Sequence, residues 1–148
     1  MREILHVGIT VSDLKTAEDF YGNILGLQKV GALVMEGPEA DRLFGRENVH
    51  ADVSYFKGTE EVASPPIELI AFREGVRKDR MDLFKTSVSE ICIRTRDIKG
   101  LYDKLTEKGF TCLSKPQSFD FTEYGFGKSL VMYFRDPDGN ILEAIEEI

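Results

Sequence analysis

Apolar and polar residues alternate along the opening stretch. Leu5, Val7, Ile9 and Val11 share one face of a strand, and His6, Gly8 and Thr10 share the other. The alternation predicts a first strand over 3–11. The period then lengthens: Leu14, Ala17, Phe20, Tyr21 and Leu25 recur at helical spacing behind a capping Ser12 or Asp13, and Gly26 ends the helix. Strands are predicted over 28–35, 49–56 and 67–72, with a short helix or turn over 37–45 and a polar turn over 57–64. Pro65-Pro66 forbids helix just before the fourth strand. The first 72 residues read β-α-β-β-β.

A charged connector over 73–86 lacks strand alternation and predicts one or two helical turns around Met81, Leu83 and Phe84. Then the pattern restarts. A strand over 88–95 precedes a helix that Asp97 opens and Gly109 ends, and strands follow over 110–114, 130–134 and 141–147. Between them, 115–127 reads as a loop carrying Phe119, Phe121, Tyr124 and Phe126, a candidate lid. Asp136-Pro137-Asp138-Gly139-Asn140 is a strong turn signal. The stretch from His6 to Leu14 aligns without a gap on the stretch from Glu90 to Ile98, and 67–70 aligns on 142–145. The expectation is an α+β fold of two βαβββ modules, 1–72 and 87–148, joined by 73–86. Together they form one compact domain, a curved, open mixed-sheet barrel around a central cavity.

The repeat puts acids and an imidazole at matched places. His6 equates with Glu90 on the first strand of each copy, and Glu68 equates with Glu143 on the last. Alternation sets Glu68 on the side of Ile70 and Phe72, and Glu143 on the side of Ile141 and Ile145. A carboxylate among such neighbours is desolvated, and burying it unpaired costs several kcal/mol. A divalent cation removes that cost. One imidazole with up to three carboxylates suits Mn, Fe, Co, Ni or Zn, with positions left open for water or substrate oxygens. A strand histidine also serves as a hydrogen-bonded core residue, and a glutamate on a terminal strand as a solvated edge. Glu90 in particular also fits the surface start of a strand. The matched pairing weighs toward the site.

Composition narrows the partners. A formal net charge of -7 argues against nucleic acid, because phosphate binding wants a basic surface. No apolar run approaches the ~20 residues of a membrane span. The N-terminus lacks the layout of a secretion signal, which predicts a cytoplasmic protein. Two cysteines, Cys92 and Cys112, are too few for a disulfide framework, and Cys92 reads as a small buried strand residue.

Three motifs then stand together: His6-Val7-x-Ile9-x-Val11, Ala17-x-x-Phe20-Tyr21, and Leu25-Gly26-Leu27. The chain ends on Phe134-Arg135-Asp136-Pro137-Asp138-Gly139-Asn140-Ile141-Leu142-Glu143. In these the sequence resembles the vicinal oxygen chelate superfamily, which includes glyoxalase I, methylmalonyl-CoA epimerase, extradiol dioxygenases and bleomycin-resistance proteins. The resemblance is closest to glyoxalase I and covers nearly the whole chain. It implies one divalent metal held by His6, Glu68 and Glu143, with Glu90 at the fourth place, where glyoxalase I and the epimerase usually carry histidine. It implies a lyase or isomerase working through an enediolate on a small substrate with vicinal oxygens. Glu143 would be the base and Glu68 its alternative. A ring-cleaving dioxygenase and a metal-free drug- or metabolite-binding protein are the competing readings on the same scaffold. Arg94, on the face of Glu90, and His50, which alternation sets with Asp52 and Ser54, are candidates for substrate contact. A homodimer is expected, since two-fold pairs are the commonest oligomer.

Overall fold

Two of the helices in this chain are placed by a carboxylate cap and held by the apolar stripe behind it. Asp13 Oδ1 accepts from Thr16 N at 2.7 Å and starts α1 (Leu14–Asp19). Asp97 Oδ1 accepts from Gly100 N at 2.8 Å and starts the helix Ile98–Glu107. The computed structural model describes residues 3–59, 64–79 and 81–148. The chain divides into two compact units, Met1–Lys78 and Asp79–Ile148.

In the first unit, α1 runs on into a π-helical turn, Phe20–Ile24, where Leu25 N donates to Phe20 O at 3.0 Å. Four strands follow or flank it: β1 (Val7–Thr10), β2 (Gln28–Glu36), β3 (His50–Lys57) and β4 (Ile67–Phe72), with α2 (Pro38–Phe44) between β2 and β3. They form one sheet in the order β1-β4-β3-β2, with β1 parallel to β4 and the other pairs antiparallel. Ala17, Phe20, Tyr21 and Ile24 are buried, together with Phe56, Ile67 and Leu69 of the sheet. Each fully buried aromatic or leucine contributes about 1.5–3 kcal/mol of hydrophobic stabilisation. Ser54 Oγ donates to Glu18 of α1, so the even-numbered residues of β3 face the helix. Tyr55 and Glu68 therefore face the other way.

The second unit repeats the plan around α3 (Ile98–Glu107). Its strands are β5 (Ile91–Arg94), β6 (Gln117–Phe121), β7 (Gly127–Arg135) and β8 (Ile141–Glu147), in the order β5-β8-β7-β6. Again the first and last strands pair in parallel, and the others antiparallel. Ile98 and Leu105 of α3 are buried with Met132, Phe134, Leu142 and Ala144. Ile98 N donates to Glu146 Oε2 at 2.8 Å, which ties the helix start to β8. The β7–β8 turn is built on Asp136, whose Oδ1 accepts from Asp138 N and Asn140 N, both at 2.9 Å, while Gly139 takes φ 87°.

The two βαβββ patterns and the α+β class are as the sequence predicts. Several local readings are corrected. The first strand is ladder-paired only over Val7–Thr10. The expected strand at 110–114 is reduced to a single bridge, Cys112 with Phe134. Most of the aromatic segment over 115–127 is not a loop. Gln117–Phe121 is the outer strand of its sheet, paired with 127–131, and a short 3-10 turn, Thr122–Tyr124, links the two strands. Backbone pairing makes it part of the scaffold rather than a free lid. The connector holds turns and no helix among its described residues. Part of the polar segment 57–64, residues 60–63, lies outside the described residues.

Candidate functional site

In each unit, one row of side chains crosses three strands on the face turned away from the helix. In the first unit Gly8 of β1 stands beside Glu68 of β4, which stands opposite Tyr55 of β3. In the second, Cys92 of β5 stands beside Glu143 of β8, which stands opposite Tyr133 of β7. The two rows occupy the same register, so the pairing of Glu68 with Glu143 by sequence holds in the ladders.

The first row is closed by polar contacts. The Tyr55 hydroxyl donates to Glu68 Oε1 at 2.6 Å. His6 Nε2 lies 3.3 Å from Glu68 Oε2, and its ring meets the Tyr55 ring edge-on at 5.9 Å between centroids. Glu68 is buried, with 7% of its surface exposed, whereas the His6 side chain is 45% exposed. A buried carboxylate thus lies against a half-exposed imidazole. Gly8 matters to this contact: a Cβ there would lie 3.2 Å from Glu68 Oε2. The hydrogen bond to Glu68, then burial and the carboxylate's charge, push the Tyr55 phenol up to about 12, so it stays a donor.

The second row carries different chemistry beside the same carboxylate. Burial first, then a hydrogen bond donated to Glu143 and the charges of Glu143 and Glu90, push the Cys92 thiol up to about 12, with Arg94 opposing. Cys92 nonetheless presents surface to solvent, which corrects its reading as a buried strand residue. Burial, the charges of Glu143 and Glu90, and a hydrogen bond to Glu143 also raise the Tyr133 phenol. The charges of Glu90 and Glu143 thus act on the same two side chains. Arg94 shares that face but pairs with Glu147, Nη2 to Oε1 at 3.0 Å, with both side chains exposed.

His50 is placed elsewhere. Being even-numbered in β3, it lies on the helix-side face, away from Glu68. Its Nδ1 is 2.8 Å from Glu36 Oε2 and its Nε2 3.3 Å from Asp52 Oδ1. Both ring nitrogens are engaged by strand carboxylates.

The donor set of the first row suits a divalent cation. A charge-assisted N–H···O bond prefers about 2.7–2.9 Å. Two ligands each about 2.1 Å from one ion stand roughly 3.0–3.4 Å apart, between right-angle and tetrahedral arrangements. The 3.3 Å separation of Nε2 and Oε2 falls in that range as well as in that of an imidazole–carboxylate contact, and a nitrogen with an oxygen is a borderline-to-hard pair. Among the described residues no group of three or more His, Cys, Asp or Glu side chains is gathered tightly enough to hold an ion unaided.

The sequence model of the glyoxalase/bleomycin resistance protein/dioxygenase superfamily matches residues 3–144. This chain belongs to that superfamily. Solved structures share its fold at low identity. A glyoxalase family protein of Bacillus cereus is 20% identical, with 100% of this chain and 95% of that one covered and a TM-score of 0.85. The trypanothione-dependent glyoxalase I of Leishmania major is 21% identical over 99% of this chain and 88% of its own, with a TM-score of 0.67. TnmS3, an antibiotic binding protein from Streptomyces sp. CB03234, is 17% identical over 100% and 98%, with a TM-score of 0.63. At these identities the likeness is one of fold. Superfamily members bind small molecules, and many hold a divalent metal. No helix among the described residues is long and apolar enough to cross a membrane.

The two tyrosines are site residues that ligand chemistry alone does not single out. Each lies on the strand before its glutamate, 13 residues ahead of Glu68 and 10 ahead of Glu143. The repeat holds the signal, since both copies place a tyrosine on the third strand.

Proposed function

We propose that this protein is a divalent-metal-dependent lyase or isomerase of the glyoxalase I type, acting on a small substrate with two vicinal oxygens. His6, Glu68, Glu90 and Glu143 are its ligand set, and Zn, Ni, Mn, Co or Fe its metal. The observation that carries the reading is the His6–Glu68 pair, held at ligand spacing with the second carboxylate oxygen already bound by Tyr55. Bound there, the cation supplies Lewis acidity toward the substrate oxygens.

The chain's own residues do the rest. Glu143 takes the proton from the oxygen-bearing carbon next to the substrate carbonyl, the electron pair passing to the carbonyl oxygen, with Glu68 as the alternative base. Tyr133 and Cys92 remain protonated at neutral pH and orient the Glu143 carboxylate through donated hydrogen bonds. Glu90, an anionic group where related enzymes carry histidine, favours harder cations and lowers the Lewis acidity of the bound ion. The active species is a homodimer.

The deciding experiment is elemental analysis of protein purified without added metal, followed by assays on a panel of hydroxy-ketones and thioesters. The expected result is one cation per chain and turnover that a chelator removes. Tight ligand binding with no cation, even after soaking, would mean sequestration. Turnover that stops without oxygen would mean a dioxygenase.

A further inference from the structure

The shared geometry of the two rows points to a role that neither ligand nor base fills. Glu68 has two oxygens with different neighbours: Oε1 receives the Tyr55 hydroxyl at 2.6 Å, and Oε2 lies 3.3 Å from His6 Nε2. A glutamate side chain has three rotatable bonds, so something must choose this arrangement. Tyr55 contributes on both sides, its hydroxyl to the carboxylate and its ring edge to the imidazole. Gly8 keeps the space at Oε2 free, since a Cβ there would come within 3.2 Å. Gly8 has no positive φ, so its backbone admits other residues. The second unit carries Cys92 at that same ladder position. A side chain at Gly8 would therefore press on the carboxylate, not on the strand.

We propose that Tyr55 is a positioning residue that, with Gly8, fixes Glu68 so that one oxygen is spent and the other faces His6. The proposal rests on the metal-dependent reading for its consequence in catalysis, but the contact itself is a property of the metal-free chain. Partners that orient a ligand typically change metal affinity by roughly 10–100-fold when removed.

The test compares wild type with Tyr55→Phe, Tyr55→Leu and Gly8→Ala. Tyr55→Phe deletes the hydroxyl and keeps the ring. In metal-free protein at fixed pH, the nitrogen shifts of the His6 ring are recorded in a His50→Gln background, where His6 is the one imidazole left. Wild type should show a single tautomer protonated at Nε2, and Tyr55→Phe a mixture. Nickel binding, measured by calorimetry, should weaken about tenfold or more in Tyr55→Phe and Gly8→Ala, with unchanged circular dichroism. Tyr55→Leu should be little worse than Tyr55→Phe. Equal tautomers and equal affinity in Tyr55→Phe would overturn the proposal, as would a loss confined to Tyr55→Leu, which would make the ring a packing element. Should wild type bind no nickel, the metal-dependent reading falls, and the tautomer measurement still decides the role of Tyr55.

Discussion

The two units differ least where the carboxylate is held and most on the strand beside it. Both pair a glutamate on the last strand with a tyrosine on the strand before. On the first strand and the residue before it, the first unit offers Gly8 and His6, and the second Cys92 and Glu90. The difference separates two tasks. Holding a strand carboxylate needs a donor that stays protonated, and a phenol meets the need in each copy, raised chiefly by its hydrogen bond to the carboxylate in Tyr55 and by burial in Tyr133. Choosing what the free oxygen faces is left to the first strand, which is at the edge of its sheet and therefore free to change. The imidazole stands 3.3 Å from one glutamate's oxygen, whereas the thiol gives the other a proton donor.

The largest effect that would sharpen this contrast is on turnover. Glu143→Gln should lower kcat by about 10²–10⁴-fold, the range for a lost general base, and leave the thermal midpoint near wild type. Glu68→Gln should instead act mainly through cation content, read by elemental analysis. Equal kinetic losses with equal metal loss would erase the division between the units.

A second test uses the thiol. A group raised from 9.0 to about 12 stays protonated at pH 8, and its ionised fraction falls roughly a thousandfold below that of an ordinary thiol. Alkylation of Cys92 by iodoacetamide, followed by mass spectrometry, should be correspondingly slow despite its exposure. Glu143→Gln should speed it, because an anionic neighbour is gone. Stability takes its pH dependence from the same shift. The contribution of the protonated thiol is fully present below pH 9 and is lost as pH rises from 9 towards 12. Rapid labelling in wild type would break the assigned contact.

The smallest effect compares the helix starts. Asp13→Ala and Asp97→Ala each remove one cap and should cost about 1 kcal/mol in denaturant unfolding. Comparable losses would mean that the units are held by equivalent means.

Much of this architecture is legible in the amino-acid sequence. Period-two and period-3.6 patterns place most of the elements, and the gapless match of 6–14 with 90–98 exposes the repeat and the paired glutamates. Gln117–Phe121 escapes because its polar alternates, Ser118 and Asp120, and the glycines after it resemble loop chemistry. The strand is nonetheless held, since ladder pairing depends on a neighbour that local sequence does not reveal. The tyrosines escape for a related reason. The segments linking third and fourth strands are 58–66 in one unit and 136–140 in the other, so no fixed spacing announces the Tyr–Glu pair. His50 is a matter of parity: one residue along a strand decides which side of a sheet an imidazole serves.

That unequal pair of linkers has a consequence for how such proteins diversify. Because phenol and carboxylate meet across a ladder and not through the hairpin that joins their strands, the hairpin is a graft point. New recognition segments can be spliced in there, long or short, while the reactive groups keep their place, and one scaffold can be retuned for many ligands without rebuilding its chemistry.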